Sequence, residues 1–228
     1  MLFRSMGVVP PEPGFVEALR DLCDVSGTLL VFDEVITGFG RTGRWFAVEH
    51  EHVVPDLMSV AKGITSGYVP LSATVARRHL ADAFASDSKQ ENVHPNTYAA
   101  HPVACAAALA NIRIMEQDRL VENAEAMGTR LVQGLREALR KREIVGEVRG
   151  RGLLAAVELV EPGGSGRSLD AKHVAELDRK AWDRGAIVYA RGSVVRFAPP
   201  LCITAAEVDE LVGIAADSIE ALERDLGR

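Results

Sequence analysis

Short apolar runs that stop abruptly on a charged residue punctuate the first half of the chain. Leu29-Leu30-Val31-Phe32 is continuously apolar and ends in Asp33-Glu34, and Leu57-Met58-Ser59-Val60-Ala61 is mostly apolar and ends in Lys62-Gly63. Runs of this length predict strands buried on both faces, as in a parallel sheet under helices. Leu71 to Val75 predicts a third strand. Ahead of them, Pro13-Gly14 opens a helix whose Phe15, Ala18, Leu19 and Leu22 share one face, the stripe expected to pack on the sheet.

From Pro102 the pattern turns helical. Val103 to Met115 is alanine-rich and apolar around most of its circumference, which predicts a buried helix, whereas Leu120 to Arg140 is amphipathic and reads as peripheral. After Arg142 come β-like runs at Leu153 to Leu159, Ala186 to Tyr189 and Val194 to Phe197, with a helix over Lys172 to Trp182 between the first two. Thr204 with Glu207 three residues on is a capping-box pattern that opens the last helix. The change of texture divides the chain into a larger α/β domain, residues 1–142, and a small carboxy-terminal α/β domain, residues 143–228.

Composition narrows the function classes. The 228 residues are 47% hydrophobic and 25% charged, which is globular, and a net charge of -6 with a pI near 5.6 offers no basic footprint for nucleic acid or an anionic membrane. A small-molecule partner is expected. Cys23, Cys105 and Cys202 lack metal-ligand or CxxC spacing and read as reduced thiols. The longest apolar run, Val103 to Ala110, is too short to span a bilayer, and Met1 to Met6 has no apolar signal segment, so a cytoplasmic protein is expected.

In open α/β sheets ligands settle beyond the carboxyl ends of the strands, so Asp33 and Lys62 are placed to face one crevice. A lysine amine can form an imine with an aldehyde cofactor, and a carboxylate can keep a cofactor's ring nitrogen protonated; pyridoxal phosphate needs both. A salt bridge between the two, or two unrelated strand-end charges, is the competing reading. Gly38-Phe39-Gly40-Arg41-Thr42-Gly43 matches GxGxxG, but Asp33 to Thr37 separate it from the strand and no helix pattern follows, so a tight loop is expected rather than a dinucleotide site. His50-Glu51-His52 lacks metal-site spacing, and no metal is expected.

Leu30 to Gly43, followed by Pro55-Asp56-Leu57-Met58-Ser59-Val60-Ala61-Lys62-Gly63, resembles the signature of the class III aminotransferases, the omega-amino-acid branch of fold-type I pyridoxal enzymes. The resemblance continues through Ser66 to Ala73, Asn96 to Ala104, Val148 to Leu153 and Arg196 to Leu201. It implies part of a fold-type I large domain, mainly parallel sheet with helices, plus the small domain. It implies further that Lys62 forms the Schiff base with pyridoxal 5'-phosphate and shuttles a proton, that Asp33 pairs with the ring nitrogen, and that Val35 packs on the ring. Thr97 would bind the cofactor phosphate of the neighbouring subunit of a homodimer, a helix-capping hydroxyl being the alternative. Arg196 would receive a substrate carboxylate, a structural ion pair being the alternative. Arg149 and Arg151, in a glycine-flanked turn, are expected to bond their own loop's carbonyls.

The match starts at Gly7-Val8-Val9-Pro10-Pro11, near the middle of complete family members. The phosphate cradle of the same subunit, the second ring-stacking aromatic and much of the substrate pocket belong to the other half. Two readings follow. One is an aminotransferase acting on an amine or omega-amino acid and a 2-oxo acid, its missing half supplied by a separate chain; the other is a non-catalytic remnant or interaction module. A class III decarboxylase or aminomutase is the alternative within enzymes.

Overall fold

The computed structural model describes residues 7–85, 97–163 and 166–227, which form two compact units: Pro11 to Leu120, and residues 7–10 together with Val121 onward. The units divide at residue 120, one residue into a long helix, and not at 142 as the change of texture suggested.

The first unit opens with α1, Phe15–Ser26, which ends on the left-handed Gly27. Strands β1, Val31–Asp33, and β2, Leu57–Val60, pair in parallel, and β3, Ala73–Ala76, pairs antiparallel to β2, giving the order β1-β2-β3. Helices α2, Arg78–Ala85, and α3, Pro102–Gln117, follow.

The face of α1 turned inward is Val16, Leu19, Arg20 and Cys23, while Phe15 and Leu22 are exposed. This corrects the expected stripe. The helix is oriented by Arg20, whose guanidinium bonds Asp56 Oδ2 at 2.8 Å; the same carboxylate oxygen accepts the Leu30 backbone N–H at 2.8 Å. That N–H bond first, and Arg20 second, hold Asp56 below the usual carboxylate range. An arginine at helical spacing from Val16 looks solvent-facing by residue type, and only its partner 36 residues away turns it inward.

β1 also departs from expectation. Leu30 and Phe32 are buried but Leu29 and Val31 are about half exposed, so the strand alternates and is covered on one face within this unit. α3 is likewise less buried than predicted: Ala104, Ala108 and Met115 face inward, while Val103, Leu109 and Ile114 are exposed.

The second unit is built on α4, Leu120–Leu139, the helix read as peripheral. Its Leu131, Leu135 and Leu139 are almost fully buried in the unit's core, because their i, i+4, i+8 spacing makes a narrow but continuous apolar seam. That seam packs against an antiparallel sheet of order β4-β5-β7-β6: Val145–Arg151, Leu154–Leu159, Val194–Phe197 and Tyr189–Arg191. Ala155, Val157 and Leu159 of β5, Val174 and Leu177 of α5 (Ala171–Trp182), and Val208, Ile219 and Leu222 of α6 (Ala205–Asp225) complete the core. The capping box of α6 forms as read, with Thr204 N donating to Glu207 Oε2 at 2.8 Å and Glu207 N to Thr204 Oγ1 at 3.3 Å.

β4 has no counterpart in the hydrophobic pattern, since glycines and charges occupy it. Arg149 and Arg151 lie on this strand and not in a turn. Arg149 is buried; its Nε donates to the carbonyl of Gly7 at 2.8 Å, and a terminal nitrogen bonds Glu147 at 2.6 Å and Glu158 at 2.5 Å. It thereby ties residues 7–10 into the second unit. Among the described residues no helix is long and apolar enough to cross a membrane.

Candidate functional site

The parallel register sets Asp33 beside Ser59, and Glu34 N donates to Ser59 O at 2.9 Å, so β1 and β2 end together. Adjacent strands lie about 4.8 Å apart. Asp33 therefore sits at one carboxyl end, and Lys62, two residues past Val60, leaves from the neighbouring one. Among the described residues no ion pair joins them. Asp33 Oδ1 instead accepts the Val35 backbone N–H at 3.0 Å, and Lys62 is exposed, its ammonium with no hydrogen-bond or ion-pair partner among the described residues. The salt-bridge alternative is thus not what the strand ends form.

Lys62 has φ +47, a left-handed backbone in a side-chain-bearing residue. Such a conformation costs about 1–2 kcal/mol and persists only where its surroundings enforce it. Gly63 contributes part of that enforcement: a Cβ there would lie 2.9 Å from Phe39 Cβ and 3.2 Å from the carbonyl of Gly38, so only glycine lets the lysine turn press against the loop from β1. Asn111 of α3 supplies the rest, a residue the sequence reading did not single out. Its Nδ2 donates to the carbonyls of Gly63 at 2.9 Å and Ile64 at 3.2 Å, and its Oδ1 accepts from Ser66 Oγ at 2.6 Å. An amide that ends the apolar run Val103 to Ala110 was the available signal.

The loop leaving β1 is a chain of turns with Phe39, Gly40 and Gly43 at positive φ, followed by a short 3₁₀ turn over Ala47–Glu51. This is the tight loop expected from its glycines. Phe39 and Phe46 meet edge to face at 5.5 Å, and the His50 ring nitrogen lies 3.0 Å from the Thr42 carbonyl, which gives His50 a structural duty. Glu34 closes the loop from within: fully buried, it accepts from Thr37 Oγ1 and, at 2.8 Å, from Val48 N. Burial raises its carboxyl above the ordinary value, against the lowering effect of those donors.

Replacing Glu34 by Ala strands those donors in the interior and is expected to cost about 3 kcal/mol, whereas Gln, which keeps an acceptor for Val48 and a donor for Thr37, costs about 1 kcal/mol or less. Because the folded carboxyl titrates above its unfolded value, Glu34 favours the fold most below about pH 4 and loses that contribution as pH rises through the raised value. Denaturant melts of Glu34→Gln against the parent across pH 4 to 8 should show the parent's relative stability declining toward neutral pH.

Val35, two residues past Asp33, is half-buried and donates its N–H to the Asp33 carboxylate. Thr97 is exposed in a turn over residues 97–100. The N-cap of α3 is His101, with no side-chain cap bond, so the capping alternative for Thr97 does not hold. Arg196 belongs to the second unit, on β7 opposite Tyr189, with its guanidinium 4.2 Å from the Tyr189 ring centroid. A groove of about 670 Å³ in the first unit lies at the other end of β2, lined by Val54, Pro55, Met58 and Val75, and none of the expected site residues line it.

The chain matches the family model for aminotransferase class-III over residues 4–219. An acetylornithine aminotransferase of Methanosarcina mazei is 40% identical over 209 residues, 91% of this chain and 48% of that protein. A taurine–pyruvate aminotransferase of Bilophila wadsworthia is 34% identical over 97% of this chain and 51% of its own length. Among solved structures, an (S)-enantioselective omega-transaminase from Thermomicrobium roseum superposes with a TM-score of 0.90 at 41% identity, covering 95% of this chain and 48% of that one. The chain spans about half the length of the curated relatives it matches.

Proposed function

We propose, because this chain belongs to the class-III aminotransferases, that it carries the lysine and the ring-nitrogen carboxylate of a pyridoxal 5'-phosphate site. We propose further that it transfers an amino group from an amine or omega-amino acid to a 2-oxo acid once joined to the other half of the family's length. The observation that carries this reading is the pairing of an unengaged Lys62 with a half-buried Asp33 at the ends of neighbouring parallel strands. These residues fit the cofactor's needs. Bound there, pyridoxal phosphate supplies an aldehyde and an electron-withdrawing ring.

Lys62 Nζ has two tasks: to hold the cofactor covalently, and then, released, to take a proton from the substrate carbon and return it. Asp33 keeps the ring nitrogen protonated, and its own orientation is fixed by the Val35 N–H. Val35 packs on the ring face. Thr97 holds the phosphate of the neighbouring subunit's cofactor, which makes the working form a homodimer, and Arg196 takes a substrate carboxylate through its planar fork. The setting is cytoplasmic. The exposure of Lys62 in this chain supports the need for a complement, because the reaction requires a site closed to water.

The test is complementation. Co-expressing the chain with the amino-terminal half of a class-III relative should convert an amine donor and pyruvate into ketone and alanine, while neither half alone does so. Folded, co-purifying halves that bind cofactor but form no alanine would contradict the transaminase reading; carbon dioxide or an isomerised donor would point to the decarboxylase or aminomutase branch.

A further inference from the structure

We propose that Asn111 is the positioning residue for Lys62, holding the amine's backbone in its left-handed turn from α3; this rests on the reading of Lys62 as the cofactor-bearing amine. The lysine turn has only weak closure of its own. Ile64 N, Thr65 N and Ser66 N donate three residues back to the carbonyls of Ala61, Lys62 and Gly63 at 3.2 to 3.3 Å, long for such bonds. Asn111 reaches the same segment with every polar atom of its amide, two carbonyls accepting from Nδ2 and Ser66 Oγ donating to Oδ1. The Ser66 bond is the shortest of the set, at 2.6 Å.

The amide is itself held in place. Asn111 lies one helical turn before Met115, which is buried, and its Nδ2 lies 3.6 Å from Met115 Sδ. The clamp therefore transmits the position of α3 directly to residues 63–66, the four that follow the lysine. Without it, Lys62 can relax from φ +47 to an ordinary right-handed or extended backbone, which redirects Nζ away from the strand end. Asn111 touches neither substrate nor cofactor, and it acts through the direction in which Lys62 leaves the chain.

The chemistry that reads this out is reductive trapping with pyridoxal 5'-phosphate and borohydride. Nζ adds to the aldehyde carbon, water leaves, and borohydride delivers hydride to the carbon while solvent protonates nitrogen, leaving a stable secondary amine. Peptide mass spectrometry on the full 228-residue chain then gives the rate of labelling at Lys62 relative to the exposed Lys172, which carries no part of the turn. Asn111→Leu removes all of the bonds at similar size, and Asn111→Asp keeps only the acceptor for Ser66. The Lys62-to-Lys172 ratio is expected to fall roughly tenfold in both, as the loss of bonds each worth a severalfold bias implies, and Asn111→Gln is expected to recover part of it. Circular dichroism melts monitor folding separately. Equal ratios in parent and folded variants would overturn the inference while leaving Lys62's role standing. No preferential labelling of Lys62 in the parent would overturn that role, and this inference with it.

Discussion

Gly128→Ala is expected to lower the stability of the second unit by about 4 kcal/mol, a fall of roughly 15–20 °C in its melting midpoint. The reason is contact at backbone level. A Cβ on Gly128, in the middle of α4, would lie 2.1 Å from the carbonyl carbon of Gly152, 2.2 Å from its oxygen and 2.4 Å from its Cα. Gly152 is at the turn between β4 and β5 and holds φ +55, so the turn cannot readily yield. The helix must instead lift off the hairpin, opening the seam where Leu131, Leu135 and Leu139 meet Ala155 and Val157.

Gly213→Ala is the matched control. It too lies within a long helix, α6, but its Cβ would meet nothing within 4 Å, so the better helix propensity of alanine should stabilise the chain by about 0.5–1 kcal/mol. Two identical substitutions in two helices are thus expected to move the midpoint in opposite directions. A Gly128→Ala chain that melts with the parent would show that α4 does not seat on the hairpin as described.

The same pair of glycines shows where the sequence stops being legible. Gly152 was visible as part of a family-like motif, but nothing local to Gly128 announces a helix-to-turn contact with a partner 24 residues on. The strands that carry the site were legible because both end on a charge after an apolar run, a signal that needs no tertiary information. The capping box at Thr204 was legible for the same reason, since all of its atoms lie within four residues.

Burial was read less well, and each miss has one cause. The orientation of α1 depends on Asp56, and the strand identity of β4 depends on Arg149 finding Glu158 and the Gly7 carbonyl. In both, a charged residue is buried because a distant partner neutralises it, which residue type alone cannot foretell. α3 and α4 exchanged their expected roles because overall apolarity was weighed above the continuity of one seam. Asn111 escaped notice because one amide in an apolar helix is a weak local signal, and its three partners lie 45 to 48 residues earlier.

Lys62→Ala has the largest expected effect on the site, an all-or-none loss. Among the described lysines Lys62 has no competitor of equal standing: Lys180 is engaged with Asp225 at 2.5 Å, Lys172 is an exposed helix-surface amine beside Asp170, and Lys141 is exposed in the turn after α4. None of these three stands at the carboxyl end of a strand beside one that ends on a carboxylate. Adding pyridoxal 5'-phosphate to the purified chain should therefore produce a visible absorption band. Borohydride should bleach that band and leave one dominant labelled peptide containing Lys62, with both signals gone in Lys62→Ala. A chain that shows no band at any cofactor concentration, or one whose band and label survive Lys62→Ala, would contradict the assignment of this lysine.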